Sequence, residues 1–136
     1  MTTRPRSDFT PGELIVHSRS RMLTEADAVI FNSATHLEPT TSLSPYLVFS
    51  VVLGLSVPDL SESGGPFLGA DGIRFGKTPE AGVTVRAGSR VLSSRPSGSR
   101  AGWSVVEWET VGVDDDGEEL VRFRRASLVR GEAADD

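Results

Sequence analysis

The chain has 136 residues, of which 38% are hydrophobic, and a formal net charge of −5. This length suits one domain with a modest core, and the absence of cysteine excludes a disulfide framework, a thiolate metal site and a cysteine nucleophile. The negative charge argues against a nucleic-acid partner, because nucleic-acid affinity depends largely on Lys and Arg neutralising phosphates.

The two ends of the chain are polar and short of apolar residues. We expect residues 1–11 and 131–136 to be mobile, on either side of a single domain that spans residues 12–130. The N-terminal residues lack the apolar core of a secretory signal, and the apolar run at residues 47–55 is shorter than the ~20 residues that cross a bilayer. We therefore expect a cytoplasmic protein that does not bind membranes.

The first predicted elements are a strand and a short helix. Residues 12–18 fit a strand. Thr24 then opens a helix with Asp27 three residues later, which is a variant of the capping box. This helix is expected to end near Ser33.

The segment at residues 43–58 predicts one long helix with clear end signals. Ser44 can cap it, Pro45 suits its first position, and Pro58 is expected to end it. The helix is apolar on nearly every face, so other elements must wrap around it. In a chain of this size, the available wrapper is a sheet.

The second half of the chain reads as strands at residues 67–75, 82–92, 103–111 and 120–129. A polar loop is expected at residues 61–65, and turns rich in Pro, Gly and Asp predict that the last three strands form an antiparallel meander. Four arginines are expected to face Glu107 and Glu109 across neighbouring strands: Arg122, Arg124, Arg125 and Arg130.

Taken in order, these elements have the layout of the hotdog fold, an α+β fold in which a curved antiparallel sheet wraps around one long central helix. Residues 23–31, Leu-Thr-Glu-Ala-Asp-Ala-Val-Ile-Phe, and the strand and turn at residues 72–85 resemble the MaoC-like dehydratases and hydratases. The resemblance covers residues 12–130. It implies an acyl-thioester substrate carried on coenzyme A or on an acyl carrier protein. We expect no cofactor, and no metal site, because the chain has two histidines and no cysteine. Pairing of edge strands would give a homodimer or a heteromer with a related hotdog subunit.

The family's catalytic motif, Gly-Asp-x-Asn-Pro-hydrophobic-His, is altered in this chain. The corresponding segment is residues 35–41, Thr-His-Leu-Glu-Pro-Thr-Thr. If Pro39 is matched, His36 stands at the position of the Asp, Glu38 at that of the Asn, and Thr41 at that of the His. The usual Asp and His pair is therefore absent.

Three interpretations stay open. In the first, His36 is a general acid or base oriented by Glu38, and the protein adds water to, or removes it from, a bond β to a thioester. In the second, the chain is a non-catalytic subunit that binds acyl chains or completes a heteromer. In the third, it is a hotdog thioesterase that uses Glu38 as its carboxylate.

The candidate substrate-binding groups lie around the start of the central helix. The backbone N–H groups of Tyr46 and Leu47 could bind a thioester carbonyl, because the first turn of a helix has unsatisfied donors and the positive end of the dipole. Thr40 and Thr41 could position water. His17, on the first strand, is expected to be a structural side chain.

Overall fold

A computed structural model describes residues 9–60 and 66–131. The predicted order of elements is confirmed, and the observed bounds are β1 Leu14–Met22, α1 Glu25–Ala34, α2 Pro45–Leu60, β2 Phe67–Phe75, β3 Thr84–Pro96, β4 Trp103–Val113 and β5 Glu119–Arg130. The loop expected at residues 61–65 lies outside the described residues, as do residues 1–8 and 132–136 of the ends that were expected to be mobile.

The five strands form one antiparallel sheet in the order β1-β3-β4-β5-β2. The last three strands form the predicted meander, and β1 and β2 lie at the two edges. Helix α2 packs against β1, β3, β4 and β5. The predicted α+β hotdog fold is confirmed.

The helix N-termini follow the sequence signals. The Thr24 hydroxyl accepts a hydrogen bond from the Asp27 backbone N–H at 3.2 Å, and the Asp27 carboxylate accepts one from the Thr24 N–H at 2.9 Å, which completes a capping box. The Ser44 hydroxyl accepts a hydrogen bond from the Tyr46 N–H at 3.1 Å at the start of α2. Both predicted caps are confirmed.

The predicted end of α2 is wrong by one half-turn, since the helix includes Pro58 and continues to Leu60. A proline this near the C-terminal end removes only one helical hydrogen bond. Leu60 is 2% exposed and packs in a cluster with Phe9 and Trp108, so its burial favours the continued helix.

One face of α2 forms the core of the domain. Val48, Val52 and Leu55 are buried against the inner face of the sheet. Gly112 on β4 allows this close approach, because a Cβ at that position would overlap the side chain of Val52. The glycine is therefore required by the packing of the helix on the sheet.

Within residues 9–60 and 66–131, no element covers the opposite face of α2. Tyr46 is 57% exposed and Val57 is 38% exposed, and Ser50 and Gly54 between them are also exposed. The expectation that the sheet surrounds the helix therefore holds for one face only, because a single five-stranded sheet can cover only the side that it packs against. None of the helices in the described part of the chain has the length and hydropathy needed to cross a bilayer.

Phe9, which precedes the expected boundary at residue 12, contacts the core. Phe9 is 4% exposed, and its ring packs edge-on against Trp108 with centroids 5.1 Å apart. This contact holds Phe9 in the cluster that includes Leu60.

The expectation for the C-terminal arginines is confirmed in part. Arg122 forms a 2.6 Å ion pair with Glu109, but Arg124 pairs with Asp71 on β2 at 2.7 Å. Arg125 is only 1% exposed and does not lie on the outer face at all. Successive residues of a strand point to opposite faces, so Arg124 and Arg125 cannot both face outward.

Candidate functional site

The loop between α1 and α2 begins with a histidine in an unusual backbone conformation. His36 has a φ of 59° and is the one described residue other than glycine with a positive φ. Its N–H donates to the carbonyl of Ser33 at 3.4 Å, and the Leu37 N–H donates to the carbonyl of Asn32 at 2.8 Å. This is the Schellman arrangement at a helix C-terminus, in which glycine usually takes the left-handed position. The motif fixes the direction in which the loop leaves α1.

A buried amide holds the rest of this loop. Asn32 is 4% exposed, and its Nδ2 donates hydrogen bonds to the carbonyls of Thr40 at 3.1 Å and Ser42 at 3.2 Å. Asn32 was not among the site residues predicted from the sequence. The sequence feature that could have identified it is a polar residue one helical turn after buried Ala28, on the face of α1 that packs inward.

The two proposed acid/base residues lie on the outside of this loop. His36 and Glu38 are both exposed, and within residues 9–60 and 66–131 neither side chain forms a hydrogen bond or an ion pair. The Glu38 carbonyl accepts a hydrogen bond from the Thr40 N–H at 2.8 Å, which tightens the turn between them. The structure places the two side chains on one short loop but does not join them.

The backbone N–H groups proposed to bind a thioester carbonyl already donate hydrogen bonds within the first turn of α2. The Tyr46 N–H donates to the Ser44 hydroxyl, and the Leu47 N–H donates to the Ser44 carbonyl at 3.1 Å. The Tyr46 ring packs edge-on against Phe75 with centroids 5.8 Å apart. The start of α2 is therefore linked directly to edge strand β2.

A cavity of about 400 Å³ lies beside the loop. Thr41 and Ser42 line one side, and Glu25 and Glu80, both exposed carboxylates, line the others. Glu25 and Glu80 come from separate parts of the sequence, which is why the motif comparison did not find them. Among the described residues, no group of three His, Asp or Glu side chains could hold a metal ion.

A buried polar network lies between β1 and the end of α2. The His17 side chain contacts Asp59 through Nδ1 and Ser89 through Nε2, both at 2.7 Å. Ser89 also shares a 2.7 Å hydrogen bond with Thr110 on β4. Burial lowers the pKa of His17, although the hydrogen bond that Asp59 accepts from the imidazole acts in the opposite direction.

The order Asp, His, Ser in this network matches that of a hydrolase triad, but the serine is 4% exposed and bonded to Thr110 as well. A nucleophile must reach its substrate, and this hydroxyl lies on the buried face of the sheet. The network therefore ties β1, β3, β4 and α2 together, as expected for a structural histidine.

A second polar group penetrates the core from β5. The guanidinium of Arg125 donates to the hydroxyls of Ser56 on α2 and Ser127 on its own strand. It also lies over the rings of Phe67 and Trp108, at 5.2 Å and 5.4 Å from their centroids. Burial lowers the pKa of Arg125 to about 10, so it stays charged at neutral pH. The arginine joins α2 to the sheet behind the candidate site.

The outer side of β2 presents an exposed apolar edge. β2 pairs with β5 on one side only, and its large apolar side chains are 40–49% exposed: Phe67, Leu68, Ile73 and Phe75. A strand edge of this kind offers backbone groups for pairing with another strand. Because Phe75 contacts Tyr46, a strand added here would also lie next to the start of α2.

Comparison with known proteins agrees with this layout. The sequence model of a protein family described as mesaconyl-CoA hydratase matches residues 8–135. A mesaconyl-CoA hydratase from Haloarcula hispanica is 41% identical over 86 residues, 62% of this chain and 24% of the relative. A β-methylmalyl-CoA dehydratase from Chloroflexus aurantiacus is 32% identical over 138 residues, 90% of this chain and 39% of the relative. The chain thus spans well under half the length of both relatives.

A solved structure is also similar to this chain. A MaoC domain protein dehydratase from Chloroflexus aurantiacus J-10-fl superposes with a TM-score of 0.80 at 30% sequence identity. The match covers 92% of this chain and 40% of that protein.

Proposed function

Since the chain belongs to the mesaconyl-CoA hydratase family of MaoC-like hotdog proteins, we propose that it takes part in the reversible addition of water to an enoyl thioester of coenzyme A. The two relatives are named for the addition and the removal of water on acyl-CoA substrates. In the forward direction, a base removes a proton from water while the oxygen bonds to the β-carbon. The α-carbon then receives a proton, and no other co-reactant is needed.

His36 is the group proposed to carry the proton. The observation that carries this assignment is its left-handed backbone at a position where glycine costs least. A residue other than glycine in this conformation carries backbone strain, and strained residues concentrate at functional sites. An imidazole is also the side chain best suited to gain and lose a proton near neutral pH.

Glu38 would orient the imidazole once a substrate closes the site. The two side chains lie two residues apart on a loop held by Asn32. Catalytic hydrogen bonds often form only in the substrate complex. In the free chain both groups are exposed to water, and an efficient acid/base site needs that water excluded.

The thioester would lie across the start of α2. Its carbonyl could take the place of the Ser44 oxygens as acceptor for the N–H groups of Tyr46 and Leu47, where the helix dipole favours a developing negative charge. Thr40 and Thr41 would position the reacting water, and Thr41 lines the adjacent cavity.

A second hotdog domain would complete the site. The exposed edge of β2 and the exposed face of α2 are continuous through the contact between Phe75 and Tyr46. Pairing along β2 would cover this apolar surface and enclose the loop that carries His36. The second domain would be another copy of this chain or a related hotdog subunit.

If the acyl group of the substrate carries a carboxylate, the cation that pairs with it is expected to come from that second domain. The cavity beside Thr41 is lined by Glu25 and Glu80, which repel a carboxylate. A carrier-protein thioester is a further possible form of the substrate.

The altered motif favours one alternative, in which the chain binds acyl groups or completes a heteromer while its partner supplies the catalytic residues. The exposure of His36 and Glu38 supports this alternative as well. A thioesterase that uses Glu38 is the third candidate.

The three functions separate in one set of assays. The purified protein is incubated with mesaconyl-CoA, crotonyl-CoA and a saturated acyl-CoA, and loss of the enoyl-thioester absorbance and release of free thiol are followed. Hydration that is lost in His36→Asn, which tolerates the same backbone conformation, supports the proposed function. Thiol release that is lost in Glu38→Gln indicates the thioesterase, and binding without turnover indicates the non-catalytic subunit.

A further inference from the structure

The outer face of the sheet carries a hollow of about 540 Å³ that the proposed reaction does not use. Val16 on β1, Gly88 on β3 and Val111 on β4 lie opposite one another in register across three strands. Because Gly88 has no side chain, the floor of the hollow lies at this residue, between the two valines. This face lies on the other side of the sheet from α2.

Nothing within the described chain requires a glycine at position 88. Its φ is not in the left-handed region. A Cβ placed there would lie 3.5 Å from the carbonyl oxygen of Ile15, which is ordinary contact. A glycine inside a strand weakens it, and such a residue often marks the close approach of a ligand or of another chain. The described residues therefore give Gly88 no packing role, which points to a ligand that lies over it.

Two arginines flank the hollow on the same strand. Arg86 and Arg90 lie two residues to either side of Gly88, so all three face outward. Arg86 is exposed and has no ion-pair partner in the described ranges, and Arg90 reaches Glu109 only at 3.4 Å. The occupant should therefore bring a negative charge as well as an apolar surface.

The walls of the hollow are apolar and open to solvent. Leu14 is 74% exposed and Val16 is 86% exposed, which is unusual for side chains of this size. The lining also contains Arg122 and one carboxylate, Glu109, which already pairs with Arg122 and Arg90. A second copy of the chain docked face to face would therefore bring two net positive faces together, so charge disfavours it. The volume of the hollow is in the range of small-molecule sites, roughly 300–1,000 Å³.

We propose that this hollow binds an anionic amphiphile, an acyl chain that ends in a carboxylate or a phosphate. The chain lies over Gly88 between Val16 and Val111, and the anionic group pairs with Arg86. The site is separate from the loop that carries His36 and does not depend on the proposed reaction.

The test measures binding of decanoate and decyl phosphate by isothermal titration calorimetry, with decanol and decyltrimethylammonium as controls. The two anions distinguish a carboxylate source from a phosphate source. Gly88→Val fills the hollow and forms a row of three valines. Arg86→Gln removes the unpaired charge from the surface without changing the hollow. Gly54→Ala alters the exposed face of α2 instead and serves as the matched control, because no atom lies within 4 Å of the added methyl group.

The proposal predicts that at least one of the two anions binds more tightly than both controls. Gly88→Val should weaken that binding at least tenfold, Arg86→Gln should weaken it several-fold, and Gly54→Ala should leave it unchanged. Equal binding by Gly88→Val and the wild type would overturn the proposal, as would equal binding of the cationic amphiphile. A change of oligomeric mass in Gly88→Val would also overturn it, since the face would then be a protein interface.

Discussion

Replacing His36 tests whether the strained end of α1 exists in solution. We compare His36→Gly with His36→Ala, because both remove the imidazole and they differ only in the Cβ atom. In the structure His36 occupies the left-handed position of a Schellman motif, with a φ of 59°. Only the alanine variant keeps the steric conflict between the Cβ and the backbone.

The size of the effect follows from two opposing contributions. A left-handed conformation costs an L-residue roughly 1–2 kcal/mol. Glycine at a position that fits it also makes the unfolded chain more flexible, which costs about 0.4–1 kcal/mol. Taking the middle of each range, His36→Gly should therefore be more stable than His36→Ala by about 0.8 kcal/mol. Urea unfolding followed by circular dichroism measures this difference.

The refuting result is equally specific. If His36→Ala unfolds at the same or a higher urea concentration than His36→Gly, residue 36 does not occupy the left-handed region in solution. The argument that strain marks His36 as functional would then lose its basis. His36→Asn, which tolerates this conformation, should fall between the two.

Three further predictions concern the core, the loop and the buried histidine. Gly112→Ala places a methyl group against Val52 and should destabilise the protein by about 1–3 kcal/mol in urea unfolding; an unchanged stability would mean that α2 does not pack this closely. Asn32→Ala removes two hydrogen bonds to the loop and should lower the free energy of unfolding by about 1–3 kcal/mol. Amide exchange should become faster at residues 37–42, and uniform exchange across the chain would contradict the role of Asn32 in positioning the loop. Burial lowers the pKa of His17 below 6.5, so just below that pH the unfolded chain binds more protons than the folded protein. The free energy of unfolding should therefore be highest above pH 6.5 and fall by up to about 1.4 kcal/mol per pH unit as the pH decreases. His17→Asn should flatten this dependence, and a wild-type curve that rises toward acid pH would refute the sign.

Local signals in the sequence were sufficient for the order of elements and for the helix starts. Thr24 with Asp27 and Ser44 with Pro45 carry their capping chemistry within a few residues, so no tertiary information is needed to read them. Strand β2 was predicted with its observed bounds. The end of α2 was missed, since the burial of Leu60 depends on contacts with distant residues.

The candidate site was less accessible from the sequence. The motif comparison pointed to His36 and Glu38, but the hydrogen bonds from Asn32 and the cavity walls at Glu25 and Glu80 depend on tertiary contacts. The burial of Arg125 could have been foreseen. Its neighbour Arg124 faces solvent, and alternation along β5 then places Arg125 inside.

In the proposed reaction, the loop after α1 supplies an acid/base group to the hydration of an enoyl thioester. The most direct test is the initial rate of water addition to mesaconyl-CoA by the wild type and by His36→Asn, with folding stability measured in parallel. We expect the wild type to turn over and the variant to lose at least about 100-fold in rate, as is typical for loss of a general acid/base, while its free energy of unfolding is little changed. Equal rates for the two proteins, or no turnover by the wild type, would contradict the account.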